Sequence, residues 1–323
     1  MNKSKKYFII TETALGILVL ILAVMMLGGR DRDTIGRVSV IIRDSDDAQW
    51  AAFKYGIRKA AQERGVEAVV VGTESVLTLE EEKELIEAEI DNGADAVIVQ
   101  PVPEQGAEEM LEKIKKKVPV MLVGSHASAD GGDSALPVTE ASPYELGAAL
   151  AEEILKDYSR KLEGKTLGIV SWTTDSVMTA ERMEGFTDTL EDTGVTVSWH
   201  VAGKFDGGEE AYLGAQAKVD VIAALDDSSL TAAGEYWAEE NGGVPLYGIG
   251  HSTQAAYYLD KGIVECLVMP DEFSVGYQSM SEIANSLEEL FYKTQDRRIS
   301  YTVLRRESLF SQKGQEILFT MSQ

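Results

Sequence analysis

Gly36-Arg-Val-Ser-Val-Ile-Ile-Arg-Asp-Ser-Asp-Asp-Ala-Gln-Trp-Ala-Ala-Phe-Lys-Tyr-Gly56 is the stretch from which the fold is read. Val38 to Ile42 is a short apolar run rich in Val and Ile, too short for a buried helix and suited to a strand. An acidic loop follows, and Trp50 opens a stretch of helical period that runs to Arg64 and stops at Gly65. The same alternation continues outward through Ala68 to Val71, Ala96 to Val99 and Val120 to Val123. Between these strands, Leu79 to Asn92 opens on Thr78 and Glu81, the spacing of a capping box, and stops at Gly93. Ser142-Pro143-Tyr144-Glu145 is another helix start, with Pro at the first helical position. Strands without strict alternation are buried on both faces, which predicts an α/β fold with doubly wound parallel sheets. After a loop of small and polar residues, His126 to Ser134, the pattern begins again with Thr166 to Val170, Val195 to Val201, Val221 to Leu225, Leu246 to Ile249 and Ile263 to Val268. Two similar halves are expected, and no short-period repeat points to a solenoid or propeller.

Length and charge agree. The chain has 323 residues and a net charge of -24, from 30 Lys plus Arg against 54 Asp plus Glu. Residues 1–33 carry five of the bases and three of the acids, leaving 25 minus 51, or -26, on the other 290 residues. Such a body repels phosphate backbones, so no nucleic-acid partner is expected. It is also too long for one core, which favours two domains. Cys266 is the only cysteine, excluding an internal disulfide and a cysteine-built metal centre. Between Glu12 and Arg30 lie 17 uncharged residues, and a helix over Tyr7 to Leu27 would be about 31 Å long, the thickness of a bilayer core. Lys3, Lys5 and Lys6 precede it, so an N-terminal transmembrane helix is expected, with a cytoplasmic N-terminus and an extracytoplasmic body. A cleaved secretory signal has the same order, but Met25 to Arg30 offers no A-x-A site. A lipoprotein signal would need a Cys close behind the apolar run. The expectation is a single-pass cell-membrane protein with residues 1–33 as cytoplasmic tip and signal anchor.

Ligands of open parallel sheets bind beyond the carboxyl ends of the strands. The first such loop places Asp44, Asp46 and Asp47 beside Trp50. Carboxylates and an indole can satisfy the hydroxyls and apolar face of a sugar; an N-capping Asp with a packed Trp reads equally well. The Gly and terminal Glu of a calcium loop are missing. Gly124-Ser125-His126 lacks the Gly-x-Ser-x-Gly of a hydrolase elbow, and His126, His200 and His251 show no metal-binding spacing. Gly248-Ile-Gly250 does not extend to a dinucleotide motif, and there is no phosphate loop. No cofactor, metal or enzymatic activity is expected. Arg182 lies close to the start of the helix after Thr166 to Val170, near enough to reach a cleft with its bidentate fork or to pair with Glu181 or another acid of its own helix.

From about Gly36 to Leu309 the chain resembles the type I periplasmic-binding-protein superfamily, which includes the sugar-binding receptors of ABC transporters and the ligand domains of the lactose-repressor family. The carriers are Val38 to Ile42 with the acidic loop and Trp50 to Gly56, Asp95 to Pro101, Val118 to Val123, Arg182-Met-Glu-Gly185-Phe186, Val221 to Asp227, Tyr247 to Gly250, and Pro270 to Gly276. The resemblance implies two lobes joined by three crossovers and closing on a ligand. It divides the body into 34–139 plus 270–299 and 140–269 plus 300–323. By position it implies that Asp47, Trp50, Arg182, Phe205 and Asp226 face the cleft, with Trp50 and Phe205 stacking and Arg182 gripping ligand oxygens. Three polar positions common in sugar binders are replaced here by Gly124 with Ser125, by Gly250 and by Pro270. Ser125, His126, Trp172, Gly250 and His251 are further candidates to line the cleft, by position. Asp47 with Asp226 would suit a ligand bearing an amine.

The function so implied is an extracytoplasmic receptor for a small polar ligand, a carbohydrate or related signal, working with an ABC permease or a histidine kinase. Two alternatives stand beside it: a quorum-signal receptor of autoinducer type, and a degenerate binding fold acting as an interaction module for a sensor kinase or permease. A repressor is excluded, because the apolar segment stands where DNA-binding helices would be.

Overall fold

A computed structural model describes residues 34–322 except 47, 74–76, 102–105, 125–135, 175, 204–211 and 240–242. The expected transmembrane helix lies outside the described residues, and among these no helix is long and apolar enough to cross a membrane. The described chain folds around two sheets. The first has the order β11-β5-β4-β3-β1-β2. Its strands are β1 (Gly36–Arg43), β2 (Val66–Thr73), β3 (Ala96–Val99), β4 (Val120–Val123), β5 (Val138–Ala141) and β11 (Arg297–Ile299), and every pairing in it is parallel. The second has the order β12-β10-β9-β8-β6-β7, from β6 (Thr166–Ser171), β7 (Thr196–Ala202), β8 (Val221–Ala224), β9 (Leu246–Ile249), β10 (Val264–Pro270) and β12 (Tyr301–Leu304).

One departure from the expected parallel sheets is β12, which pairs antiparallel with β10, Tyr301 opposite Pro270 and Leu304 opposite Leu267. The cause is the third crossing. β11 runs parallel to β5 and ends at Ile299, and only Ser300 separates it from Tyr301. The chain therefore leaves the first sheet at the carboxyl end of its strands and enters the second sheet at that same end, running backwards. The earlier crossings follow β5 and β10.

Each sheet is covered on both faces. In the first lobe, α1 (Ala51–Arg64) and α8 (Glu272–Glu288) bury Phe53, Ile57, Met280 and Ile283 against Val38, Val40, Ala96 and Ile98. On the opposite face α2 (Leu79–Asp91) and α3 (Ala107–Lys115) bury Ile86, Leu111 and Ile114 against Val97, Val99 and Leu122. Neighbouring residues of β3 thus serve opposite cores, and full burial of one such aliphatic chain stabilises by roughly 1.5–3 kcal/mol. In the second lobe α4 (Pro143–Asp157) and α5 (Val177–Leu190) cover one face, with Leu150, Ile154 and Phe186 on Ile169 and Val268. α6 (Asp227–Glu239) and α7 (Thr253–Lys261) cover the other. α9 (Arg306–Leu309) and α10 (Gln312–Met321) close the chain, and α10 touches both α1 and α7.

The helix punctuation follows the sequence. Thr78 and Glu81 form both halves of the capping box, Ser142 caps α4 ahead of Pro143, and Gly65 ends α1 at φ 65. Two helix pairs cross so closely that only glycine fits. A Cβ on Gly56 would lie 2.1 Å from the Phe273 carbonyl oxygen, and one on Gly276 2.2 Å from that of Phe53. In the second lobe Gly147 meets the Arg182 carbonyl oxygen at 1.9 Å and Gly185 that of Tyr144 at 2.0 Å by the same construction.

The last strand of each lobe is fastened by an arginine to a buried glutamate. Arg297 donates from Nε to Glu282 of α8 at 2.7 Å, and the 1% exposed Glu282 also accepts from Tyr292 Oη at 2.9 Å and Gln295 N at 3.1 Å. Arg305, just past β12, donates to Glu153 of α4 at 2.8 Å and to Asp157 at 2.9 Å. Burial works against ionisation of Glu153, but Lys156 and Arg305 outweigh it and hold its carboxyl below the usual range.

Candidate functional site

The residues to place are those beyond the carboxyl ends of the strands. Arg182 stands in the second turn of α5, its backbone pinned by the glycine crossing with α4. Its Nη1 donates to the Leu225 carbonyl oxygen at 2.9 Å, so the guanidinium reaches across to the end of β8 instead of pairing within its own helix. Nε is buried and has no hydrogen-bond partner among the described residues. Burial lowers the pKa of this group, while Asp226, Glu272, Glu140 and Asp227 pull it back up. Those four acids come from both sheets' surroundings: Glu140 from β5, Glu272 from the start of α8, Asp226 from the turn after β8 and Asp227 from the start of α6. Arg182 is therefore held by the second lobe and lies within electrostatic reach of acids from the first.

Asp226 and Asp227 act as a pair of stitches. Asp226 accepts from the Ser229 backbone at 2.8 Å with Oδ1 and from the Trp172 backbone at 2.7 Å with Oδ2. Burial pushes its carboxyl up, against those hydrogen bonds and Arg182. Asp227 Oδ1 accepts from the backbones of His251 at 2.6 Å and Ser252 at 2.8 Å. Neighbouring carboxylates thus tie the ends of β6, β8 and β9 together and fix the Trp172 and His251 backbones. Asp227 is a participant that the sequence reading passed over, since nothing in Asp226-Asp227 says which neighbour each serves. His251 keeps a buried Nδ1 without a partner among the described residues. At Gly250 a Cβ would lie 2.8 Å from Asp227 Oδ1 and 2.9 Å from Leu230 Cδ2, so the space for an acidic side chain is taken by Asp227 itself.

His200, not singled out in the sequence, holds its Nε2 2.8 Å from Ser171 Oγ, and burial lowers its pKa. Ser171 is fully buried and also donates to the Thr173 carbonyl oxygen at 3.2 Å, so this serine is a structural link.

On the first lobe, the Trp50 side chain is turned inward. The indole is 8% exposed, donates from Nε1 to the Arg43 carbonyl oxygen at 2.8 Å and packs edge-on against Phe53 at 5.4 Å. In this conformation it belongs to the core. Gln100, just past β3, accepts from the Arg43 backbone at 3.1 Å. Asp47, Ser125, His126 and Phe205 lie outside the described residues. The structure thus brings Arg182, Asp226, Trp172, Gly250 and His251 into one hydrogen-bonded neighbourhood and leaves Trp50 apart from it.

Two parallel-sheet lobes, crossed by the chain between them and with polar groups gathered at the strand ends, define a protein of the periplasmic-binding-protein class. A profile for the periplasmic binding protein domain matches residues 38–289, and the chain belongs to that family. No curated protein matches it by sequence. Among solved structures, a carbohydrate transporter solute-binding protein from Agrobacterium radiobacter, in complex with D-arabinose, is similar with a TM-score of 0.77 at 16% identity, covering 88% of this chain and 98% of that one. A solute-binding protein of an ABC transporter from Agrobacterium vitis, bound with α-D-tagatopyranose, gives 0.75 at 14% identity over 87% and 98%. A sugar-binding protein of a sugar ABC transporter from Bacillus halodurans gives 0.72 at 16% identity over 85% and 99%.

Proposed function

We propose that this chain is an extracytoplasmic receptor that captures a small polar ligand, a carbohydrate or a related signal, between its lobes. The observation that carries this reading is Arg182, a guanidinium facing acids of both lobes, with a buried Nε that has no partner among the described residues. A ligand oxygen would complete it, and such charge-assisted bonds are about twice as strong as neutral ones. Backbone groups fixed by Asp226 and Asp227 would add directional contacts, and closure about the crossings would enclose the ligand. Sugars bound by the solved neighbours support the ligand class. The lobes divide at 34–139 plus 270–299 and 140–269 plus 300–323. Residues 1–33 anchor the body in the cell membrane with the N-terminus cytoplasmic, next to an ABC permease or a histidine kinase.

Thermal unfolding of the purified chain with D-arabinose, D-tagatose, polyols, amino acids and quorum signals tests this. A true ligand at 100 times its Kd adds about 2.7 kcal/mol, a clear rise in midpoint. Arg182→Ala should abolish that rise.

A second reading, an interaction module that has lost its solute, is favoured by the committed groups: both Asp226 oxygens accept backbone bonds, and the Trp50 indole is tied to Arg43. No thermal response to any compound, with partner capture unchanged in Arg182→Ala, would decide for this module and against the receptor.

A further inference from the structure

The turn between α8 and β11 presents Leu290 and Phe291, each 90% exposed. The next most exposed large apolar side chain among the described residues is Phe310 at 64%. The two are not displayed by a fraying end. Tyr292 N donates to the Glu289 carbonyl oxygen at 3.0 Å, and Tyr292 Oη is held between Asn285 Nδ2 at 3.3 Å and Glu282 at 2.9 Å. Gln295 N and Arg297 bind the same buried Glu282, and Asp296 accepts from Val138 N at 2.9 Å. Pinned on both sides, the turn holds two adjacent apolar side chains out into solvent.

Its place in the fold says what it faces. α8 ends at the pole where β1 begins: a Cβ on Gly36 would lie 3.1 Å from Leu287 Cδ1, Arg64 Nη1 is 3.6 Å from Glu288, and Ile35 N donates to the Gly65 carbonyl oxygen at 2.7 Å. Residues 1–33 therefore join the body beside this turn. Under the anchored reading above, on which this inference rests, the apolar run ends near Leu27, and the nine steps from there to Gly36 span at most about 30 Å fully extended. This pole is thus held close to the bilayer. Ile35, 45% exposed, lies at the same pole, and Lys293 and Arg298 are exposed nearby.

We propose that Leu290 and Phe291 dock this pole into the interfacial layer of the membrane that holds the N-terminal segment. An aliphatic and an aromatic side chain at the headgroup boundary bury apolar surface without requiring basic charge, which suits a strongly acidic body. The contact would fix the orientation of the first lobe over the membrane and leave the second lobe to move.

The test uses the full chain in phosphatidylcholine and phosphatidylglycerol vesicles. Cys266 is fully buried, so a cysteine introduced by Phe291→Cys is labelled alone with an environment-sensitive fluorophore. Tyr257→Cys on α7 is the control, and Leu290→Cys is the second reporter. The expected result is a shift to shorter wavelength at 291 and 290, with loss of most emission when the lipids carry shallow spin labels, and neither effect at 257. Vesicle-bound chain that resists carbonate extraction yet leaves 291 unquenched overturns the docking while sparing the anchor. A shift that grows with protein density but ignores the quenching lipids assigns the surface to a second copy and also overturns it. Chain released by carbonate refutes the anchor itself and the docking with it.

Discussion

The two lobes share a scaffold but differ at the ends of their strands. Each crosses two helices through a reciprocal glycine pair, Gly56 with Gly276 and Gly147 with Gly185. Each also fastens its last strand by an arginine to a buried glutamate. In the first lobe the loop after β1 turns its indole into the core, whereas in the second the loops are stitched by Asp226 and Asp227 around a guanidinium whose Nε has no partner among the described residues. Repeating a packing solution leaves the loops free to diverge, and in the described residues the polar chemistry has gathered on one lobe.

The scaffold likeness is broken most directly at the crossings. Gly147→Ala and Gly56→Ala each drive a methyl to about 2 Å from a carbonyl oxygen and should each cost about 3 kcal/mol in urea unfolding. A large loss in only one lobe would mean that the second crossing can spread and the likeness is superficial. Next come the arginines. Arg305→Ala leaves Glu153, 7% exposed on its side chain, with Lys156 and should cost about 2–3 kcal/mol. Arg297→Ala should cost less, about 1–2 kcal/mol, because Arg297 is 41% exposed and Glu282 keeps Tyr292 and Gln295. Equal losses would argue that the two clamps are energetically alike.

A smaller effect sharpens the second lobe alone. Lys165, with Thr166, holds the Asp220 carboxyl down from 3.8 to about 2. Because the folded value is depressed, the pair stabilises above about pH 4, and its contribution is lost as the pH falls toward 2. Asp220→Asn should lower the melting temperature modestly at pH 6, with most of that difference from the parent gone by pH 2. Smallest of all is the response of Cys266, whose thiol is pushed up to about 12 by burial. It should resist maleimide until urea unfolds the second lobe, and early labelling would show that lobe opening before the first.

The sequence was most legible where a local rule decides. Thr78 with Glu81, Ser142 with Pro143, and Gly65 each mark a helix end through one backbone requirement, and the Val- and Ile-rich runs mark strands covered on both faces. β5, β11 and β12 escaped because Val138-Thr-Glu-Ala141, Arg297-Arg-Ile299 and Tyr301-Thr-Val-Leu304 mix polar with apolar residues, whereas the equally short β3 and β4 are wholly apolar. Arg182 was placed by its motif, but its alternatives, a ligand or its own helix, hid a third partner, the Leu225 carbonyl oxygen, which is 43 positions away in the chain. Trp50 was ambiguous for a related reason: an indole beside carboxylates suits either a sugar or a core, and only the backbone path of Arg43 settles where its N–H is satisfied.

The third crossing has a mechanical consequence. Between Arg297 and Arg305 the chain is nailed to one lobe at its start and to the other at its end, and the Ser300 carbonyl oxygen accepts from Asp271 N at 3.2 Å, which couples it to the second crossing. A strap that short cannot pay out length. The lobes can swing about it, as a door about its pin, but at this edge they cannot slide apart, and the crossings after β5 and β10 share the hinge with it.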